Sequence, residues 1–562
     1  MLIFKFSTME KVGFFSKIKS PFDILSIYYC NFFNSIVNFV DKKILEVYSL
    51  IWNFYLFYYY ERRNFEVTKE KIVDINGKPY NRTLLVTVLT IGSFCTMLTG
   101  TFLATAYPSI MKSFDINTST VQWLTTSFML VNGIMIPVSA WLINKLNSRI
   151  MYLVAMSTFL LGTIVAFVAP NFQTLLIGRI IQSLGVGVSM PLMQTIMLSI
   201  FPPDKRGSAM GIVGIAMGLA PAIGPTLSGW VVDHYSWRDL FGLMIPLVAI
   251  VIILAFFLMR PVINAHKQPL DVWSVITSTI GFGSLLYGAS EASSEGWTSS
   301  IVVGCILVGV IFVSLFIHRQ IKLKDPFLDI SVFKHSEFAL AAVLSSVSNL
   351  AMVGVEMLLP LYIQNIRGES AFHSGLMLLP GALMMGFMSP VTGRLFDKFG
   401  ARYLAITGLT LLSIGTIPFI TLTAQTPVIS IVIFYAIRLF GVSMVFMPVT
   451  TSGMNVLPLN QMSHGTAVNN TFRQVISSIG TAILTTILST TTTGQMPAKS
   501  LLAKQPLLYK DHAVNASLAG FHAAFFASIV FAIVALGLAF YLKKGNRARE
   551  TKQFDHLERR AD

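Results

Sequence analysis

Charge is what this chain has least of. Asp, Glu, Lys and Arg make up 12% of its 562 residues while 54% are hydrophobic, about half the charged share of an ordinary soluble domain. A soluble globular fold is therefore excluded. Acid is scarcer than base, 26 residues against 41, for a net charge of +15. Nucleic acid is the tempting partner for such a balance. The basic residues fall in short loops between apolar runs, however, which is the pattern of a membrane protein with one basic face. Three cysteines, Cys30, Cys95 and Cys305, are too scattered for a disulfide framework or a metal site. No compact apolar stretch ending in small residues marks a cleavable signal peptide. No phosphate loop, metal-ligand cluster or nucleophile motif is visible, which disfavours a membrane enzyme or sensor and excludes an ATP-driven pump for this chain alone.

What the chain has in abundance is uncharged apolar sequence of spanning length. Runs such as 84–111 and 301–317 are long enough to cross the hydrocarbon core as helices. Spans are predicted at 84–107, 120–143, 150–169, 172–198, 208–232, 240–259, 271–290, 301–317, 338–363, 374–393, 403–422, 428–454, 465–490 and 519–542. One set of loops carries Lys145, Arg149, Lys205, Arg206, Arg260, Lys267, Arg394, Lys398, Arg402, Lys543, Lys544 and others. The opposite set carries Lys112, Arg238, Arg367, Lys499, Lys504 and Lys510. This asymmetry places the first set in the cytoplasm, and an even span count places both ends of the core there.

A repeat is also legible. Arg179–Pro191 (RIIQSLGVGVSMP) is echoed by Arg438–Pro448 (RLFGVSMVFMP), and each is followed by a small-residue start to the next span, at 207–209 and 465–467. Transporters are often built from such repeats, with the substrate site between the halves. Six spans per half then leave spans 7 and 8 as an inserted hairpin. The segment 1–80 differs: the first alanine of the chain is Ala104. The run at 47–60 reads as an interfacial aromatic helix, or the segment is translated upstream sequence with the true start near Val67. No function is assigned to it.

Charges inside hydrocarbon are costly and mark functional positions by default. They are Arg179 in span 4, Glu356 in span 9, Arg438 in span 12 and Arg473 in span 13. Glu356 is the only carboxylate well inside any span. It either carries a proton between two environments or serves as a static partner of one arginine. Glu291, Glu295, Asp233 and Asp239 read as solvated, and His522 as a hydrogen-bonded packing residue. Trp123, Phe128 and Tyr362 could line a ligand cavity, since flat apolar faces suit varied ligands, although lipid-facing or core packing is the commoner fate of such residues. Glycines and prolines in span 5, including Gly211, Gly224, Pro225 and Gly229, support close packing or a hinge.

Those span 5 residues, read as Gly211-x8-Ala220-x3-Gly224-Pro225-x2-Ser228-Gly229, resemble the antiporter signature of drug exporters in the major facilitator superfamily. Ala220 and Ser228 stand where the family usually has glycine. Gly393-x3-Asp397-Lys398-x-Gly400-Ala401-Arg402 resembles the superfamily's cytoplasmic loop motif. Its N-terminal counterpart, 140–149, is degraded, with Asn144 in the acidic place. The stretch 176–187 resembles the fourth-span motif around Arg179. Trp237-Arg238-x2-Phe241, with Pro246, and Gly465-Thr466-Ala467-x-Asn469-x3-Arg473-Gln474 resemble spans 6 and 13 of the fourteen-span branch. The similarity covers about 84–542 and is closest to the EmrB/QacA-like branch, particularly its lincomycin-resistance members.

The resemblance implies an all-α, polytopic major facilitator fold. Its parts would be an N-terminal extension (1–80), an N-terminal half (81–260), an inserted helix pair (261–325), a C-terminal half (326–543) and a cytoplasmic tail (544–562). It implies a proton-coupled exporter of hydrophobic or cationic drugs in the plasma membrane, or of an endogenous metabolite, peptide or lipid by the same machinery. Its partners would be small-molecule drugs, protons and membrane lipids, with no nucleic acid, metal or other cofactor, and it would work as a monomer. Arg179 would influence proton transfer and the span 5 motif would seal a closed state. The loop motif with Asp397 and Arg402 would clasp helix ends. Relatives often carry a first-span aspartate where this chain reads Thr99-Gly100-Thr101. Thr99 cannot hold a proton, so coupling would fall to Glu356.

Overall fold

A computed structural model of the protein describes residues 73–263 and 269–543. The aromatic segment before Val73, Lys267 in its loop and the tail from 544 lie outside the described residues. The helices are α1 (Arg82–Thr101), α2 (Leu103–Phe114), α3 (Thr118–Lys145), α4 (Ser148–Phe167), α5 (Phe172–Ile200), α6 (Arg206–His234), α7 (Arg238–Leu258) and α8 (Val272–Glu295). They continue with α9 (Ser300–Lys322), α10 (Ser336–Asn365), α11 (Ala371–Phe399), α12 (Ala401–Thr416), α13 (Val428–Met454), α14 (Met462–Gly494), α15 (Lys499–Lys504) and α16 (Pro506–Ala539). Fourteen of the described helical segments are long and apolar enough to cross a membrane.

Asparagine starts four of the helices. The side chains of Asn81, Asn117, Asn147 and Asn171 each accept a hydrogen bond from the backbone N–H three residues on, at 2.8–3.2 Å. A short side-chain oxygen there satisfies one of the first-turn donors that a helix leaves unpaired, so the chain can turn tightly between spans. At the α11–α12 junction Gly400 sits at φ 78°, a left-handed conformation that glycine adopts without a steric penalty. Its N–H closes α11 by donating to Phe396 O at 2.8 Å, and α12 begins one residue later.

Two predicted boundaries are corrected. The first span breaks at Phe102 and continues as α2 to Phe114 rather than stopping at 107. Gly100 weakens the helix there, and the Thr101 and Thr105 hydroxyls bond back to Leu98 O and Phe102 O. Span 11 keeps its expected bounds, at Ala401–Thr421, but its last turn from Ile417 is a tighter one, because Pro418 has no N–H to continue the ladder. Span 14 begins at Pro506, not 519. Proline suits a first helical turn, and the polar residues Lys510, Asp511 and His512 carry the helix beyond its apolar part.

Within the first half, α5 packs on α3 and α4, and α1 on α6 and α7. Within the second, α13 packs on α10 and α12, and α16 on α10 and α14. The longest seam joins α6 to α11, with α3 and α5 against α14 alongside it. The α8–α9 hairpin leans on α3 and α14 through α8. Most of α9 is exposed, with Leu307, Val310, Ile311 and Leu315 bare, a surface suited to lipid. The hairpin is pinned where it begins and ends. Arg319 donates to both oxygens of Asp271 at 2.6 and 2.7 Å, and Gln320 Nε2 donates to Ser274 Oγ at 2.6 Å.

The Arg319 guanidinium holds the Asp271 carboxyl below the usual carboxylate range. A lowered folded value means the pair stabilises above the ordinary carboxyl pKa of about 4 and is lost as pH falls through the folded value. Asp271→Asn is therefore expected to lower the thermal midpoint at pH 7. The difference from the unsubstituted protein should shrink as pH falls below about 4 and vanish below the lowered folded value. The shift will be small, since the pair is partly in water.

Candidate functional site

The seam between the halves is built of glycine. A side-chain carbon at Gly211 on α6 would lie 2.6 Å from Ser389 O and 2.9 Å from Pro390 Cα on α11. Those are backbone atoms and cannot swing aside. Gly207 and Gly393 face each other in the same way at the end of the bundle carrying Lys145, Arg149, Lys205 and Arg394, here called the basic end. Towards the opposite end Gly229 meets Phe372, with a built Cβ 3.3 Å away, and Gly224 abuts Thr101 of α1. Pro221 and Pro225 lie inside α6. Ser228, where the family pattern has glycine, is hydrogen-bonded through its hydroxyl to Thr105 Oγ1 at 2.6 Å. Thr101 Oγ1 reaches Ala220 O at 3.4 Å.

At the basic end the two halves are tied by hydrogen bonds. Asp397, near the end of α11, accepts from Gly207 N and Ser208 N, both at 2.8 Å, and from the Ser208 hydroxyl. These are first-turn donors of α6, so the carboxylate from one half does for a helix of the other what an N-cap does locally. A second tie lies across the seam. The Asn144 amide, at the end of α3, meets Ser463 Oγ at 2.6 Å and His464 Nε2 at 3.0 Å in the first turn of α14. His464 Nδ1 accepts from Asp329 N at 3.1 Å. A third joins Arg206 Nη1 to Asn455 Oδ1 at 3.2 Å. Lys398 is exposed, with its amine over the Phe399 ring. Arg402 is half-buried and makes no hydrogen bond or ion pair among the described residues.

The intramembrane arginines of the repeat occupy matching places. Arg179 on α5 donates to Thr99 O of α1 at 3.2 Å, Leu124 O of α3 at 3.4 Å and Gln182 Oε1 at 2.9 Å. Arg438 on α13 donates to Ala351 O and Met352 O of α10 at 2.7 and 2.9 Å, and to Thr416 Oγ1 at 3.2 Å. Each guanidinium thus takes carbonyls from the first helix of its own half. Phe128 lies under Arg179, its ring centre 4.1 Å from Cζ. Thr99 Oγ1 is turned back to Cys95 O at 2.9 Å.

Glu356 is half-buried on α10. Arg438 acts on it as a charged neighbour, yet the two form no ion pair: the guanidinium is committed to carbonyls one turn earlier. Pro360 has no N–H, so the helical partner of the Glu356 carbonyl is missing as well. The carboxyl therefore stands in a locally loosened stretch of helix.

Of the aromatics considered as cavity lining or packing, Trp123 is exposed and stacks on Tyr287 of α8, 5.9 Å between ring centres. Phe128 is taken up by Arg179. Tyr362 is fully buried, its hydroxyl donated to Thr423 O at 2.6 Å and its ring edge-on to Phe521. In this conformation it is a packing residue. His522 reaches Leu422 O at 2.7 Å. Asp233 and Asp239 are exposed.

Sequence reading did not single out Gln194, Asn470, Ser463, His464 or Arg206. Their contacts, Gln194 with Asn470, Ser463 and His464 with Asn144, and Arg206 with Asn455, join segments hundreds of residues apart. Asparagines and a glutamine within otherwise apolar runs were the available signal.

Residues 89–481 match the sequence profile of the Major Facilitator Superfamily. An uncharacterized MFS-type transporter of Bacillus subtilis, YcnB, is 48% identical over 85% of this chain and 98% of its own length. The lincomycin resistance protein LmrB of the same organism is 39% identical over 81% of this chain and 95% of its own. Among solved structures, the human organic anion transporter MFSD10 superposes with a TM-score of 0.57 at 13% identity, over 81% of this chain and 99% of that one. At that identity the likeness is one of fold.

Proposed function

Because this chain belongs to the major facilitator superfamily, we propose that it is a proton-coupled exporter of hydrophobic or cationic drugs. It would move them out of the cytoplasm across the plasma membrane by alternating access. The basic end faces the cytoplasm, as its excess of Lys and Arg favours. The moving bodies are the halves 81–260 and 326–543, with 261–325 as a hairpin inserted between them. The similarity to a lincomycin resistance protein along almost its whole length supports drugs as cargo.

The observation that carries the coupling is the isolation of Glu356. It is a half-buried acid within a span that has no ion-pair partner, beside an arginine whose hydrogen bonds go to carbonyls and a hydroxyl elsewhere. Such a group can load a proton in one environment and release it in another. Arg179 holds the α1 carbonyl at Thr99, the level at which α1 breaks, and links that break to α5. The Gly211, Gly224, Pro225 and Gly229 face of α6 closes on α11. Asp397, with Gly393, Lys398, Gly400 and Arg402 around it, latches the cytoplasmic end.

The test uses inverted membrane vesicles with an acidic interior and a pH-sensitive dye. Lincomycin, ethidium and lipophilic cations are added in turn. Drug-dependent collapse of the pH gradient is the expected result. No collapse with any compound, with expression confirmed, would overturn the drug reading and favour an endogenous cargo or another coupling ion.

A further inference from the structure

Arg473 differs from the other two intramembrane arginines in donating to no backbone carbonyl of another helix. Its Nη2 donates to Asn470 Oδ1 at 2.8 Å, and its guanidinium lies 4.6 Å from the centre of the Phe446 ring. No carboxylate pairs with it among the described residues, and like Arg179 Nη2 and Arg438 Nη1 its Nη1 is buried without a partner. It sits eleven residues into α14, about 16 Å from the basic end and near the middle of a 30 Å core.

The hydrogen bonds around Arg473 run in one direction. A guanidinium can only donate, so Asn470 must present its oxygen to Arg473 and its Nδ2 outward. That Nδ2 meets Gln194 Oε1 of α5 at 2.8 Å, which fixes the glutamine amide and leaves Gln194 Nε2 as the free end of the chain. Beside it Asn469 Oδ1 accepts from Ser345 Oγ at 3.1 Å, and Asn469 Nδ2 is again unpartnered. Gln194, Asn469 and Asn470 are 98% or more buried. Arg473 Nη1 and Gln194 Nε2 are thus the unpaired ends of one hydrogen-bonded chain where α5 of one half meets α14 of the other, and Asn469, next to Asn470 on α14, adds a third unpaired donor on the side of α10. Unpaired buried donors are disfavoured, and a cation inside a span without a counter-ion is costly, so a group that brings both acceptors and negative charge would complete the cluster.

We propose that Arg473, Gln194 and Asn469 form a subsite for the anionic head, a carboxylate or a phosphate, of an amphiphilic transported molecule, with Asn470 positioning Arg473. The inference rests on the export reading and extends its cargo to amphiphilic organic anions. Because the Gln194–Asn470 bond crosses between the halves, a head bound there would be gripped by both.

The probes are 1-pyrenebutyrate and 1-pyrenebutanol, which share an apolar body and differ in the carboxylate. Their binding to the full-length purified protein is read by fluorescence polarisation. The acid should bind at least about tenfold tighter than the alcohol, the scale of one charge-assisted hydrogen-bonded contact. Arg473→Gln should erase that preference. So should Asn470→Asp, which places a fixed carboxylate against Arg473 Nη2 and supplies the missing counter-ion while preserving shape. Its thermal midpoint should hold or rise. Equal binding of the two probes, or a preference surviving Asn470→Asp, would overturn the subsite. An acid preference erased by both variants in a protein that collapses no pH gradient would leave the subsite standing and remove the export reading.

Discussion

Glu356→Gln is expected to abolish drug-dependent proton movement, to background in the vesicle assay, while drug affinity stays within about threefold. The substitution keeps size and hydrogen-bonding capacity and removes only the ability to ionise. Other acids are badly placed to substitute. Thr99, at the first-span position where relatives carry an acid, has a hydroxyl bonded to its own helix at Cys95 O. Asp397 is engaged at the basic end by three donors from α6. Retained proton movement in Glu356→Gln would sink the assignment. Loss of both binding and coupling would instead make the residue part of the cargo site.

Gly211→Val should bring transport down by tenfold or more in protein that still inserts. The valine carbon would collide with Ser389 O and Pro390 Cα, backbone of α11 that can yield only if the helices part. Overpacking of this kind disfavours the packed state by about 1–3 kcal/mol, enough to change a two-state population by roughly five- to a hundredfold. The conformation opposed is the one in which the basic end is closed, so a cysteine placed near Gln194 should become more reactive from that side. Gly537→Ala is the control. It lies on α16 with nothing within 4 Å of a built Cβ, and its transport should be unchanged. Normal transport by Gly211→Val would show that α6 and α11 do not close as a working seam.

The two ties at the basic end show how far motif reading reaches. Asp397 stood out because the pattern Gly393-x3-Asp397-Lys398-x-Gly400 survives. Asn144 looked like a degraded remnant, yet it occupies the equivalent position and engages the first turn of α14 as Asp397 engages that of α6. The charge has been lost and the geometry kept. Ser463 and His464, 319 and 320 residues away, complete the tie, and no local pattern could pair them with it. The aromatics illustrate the converse. Tyr362 was selected for chemistry that would suit a ligand, and the packing of Phe521 and Thr423 around it uses that chemistry internally.

By itself the sequence determined the class of fold, the number of spans and the positions of the buried charges. Those follow from one-dimensional constraints. Hydrocarbon requires every backbone polar group to be satisfied within its own helix, so length and hydropathy mark the spans, and charge inside them is too costly to be incidental. Only the tertiary structure decided what each charge faces. Arg438 could have neutralised Glu356 and is spent on carbonyls instead, while Arg473 was one more intramembrane arginine until Asn470 and Gln194 were found at its side. Partners of that kind are chosen by how helices from the two halves meet. That depends on the shapes of whole seams, such as the glycine face of α6, and not on any stretch of neighbouring residues.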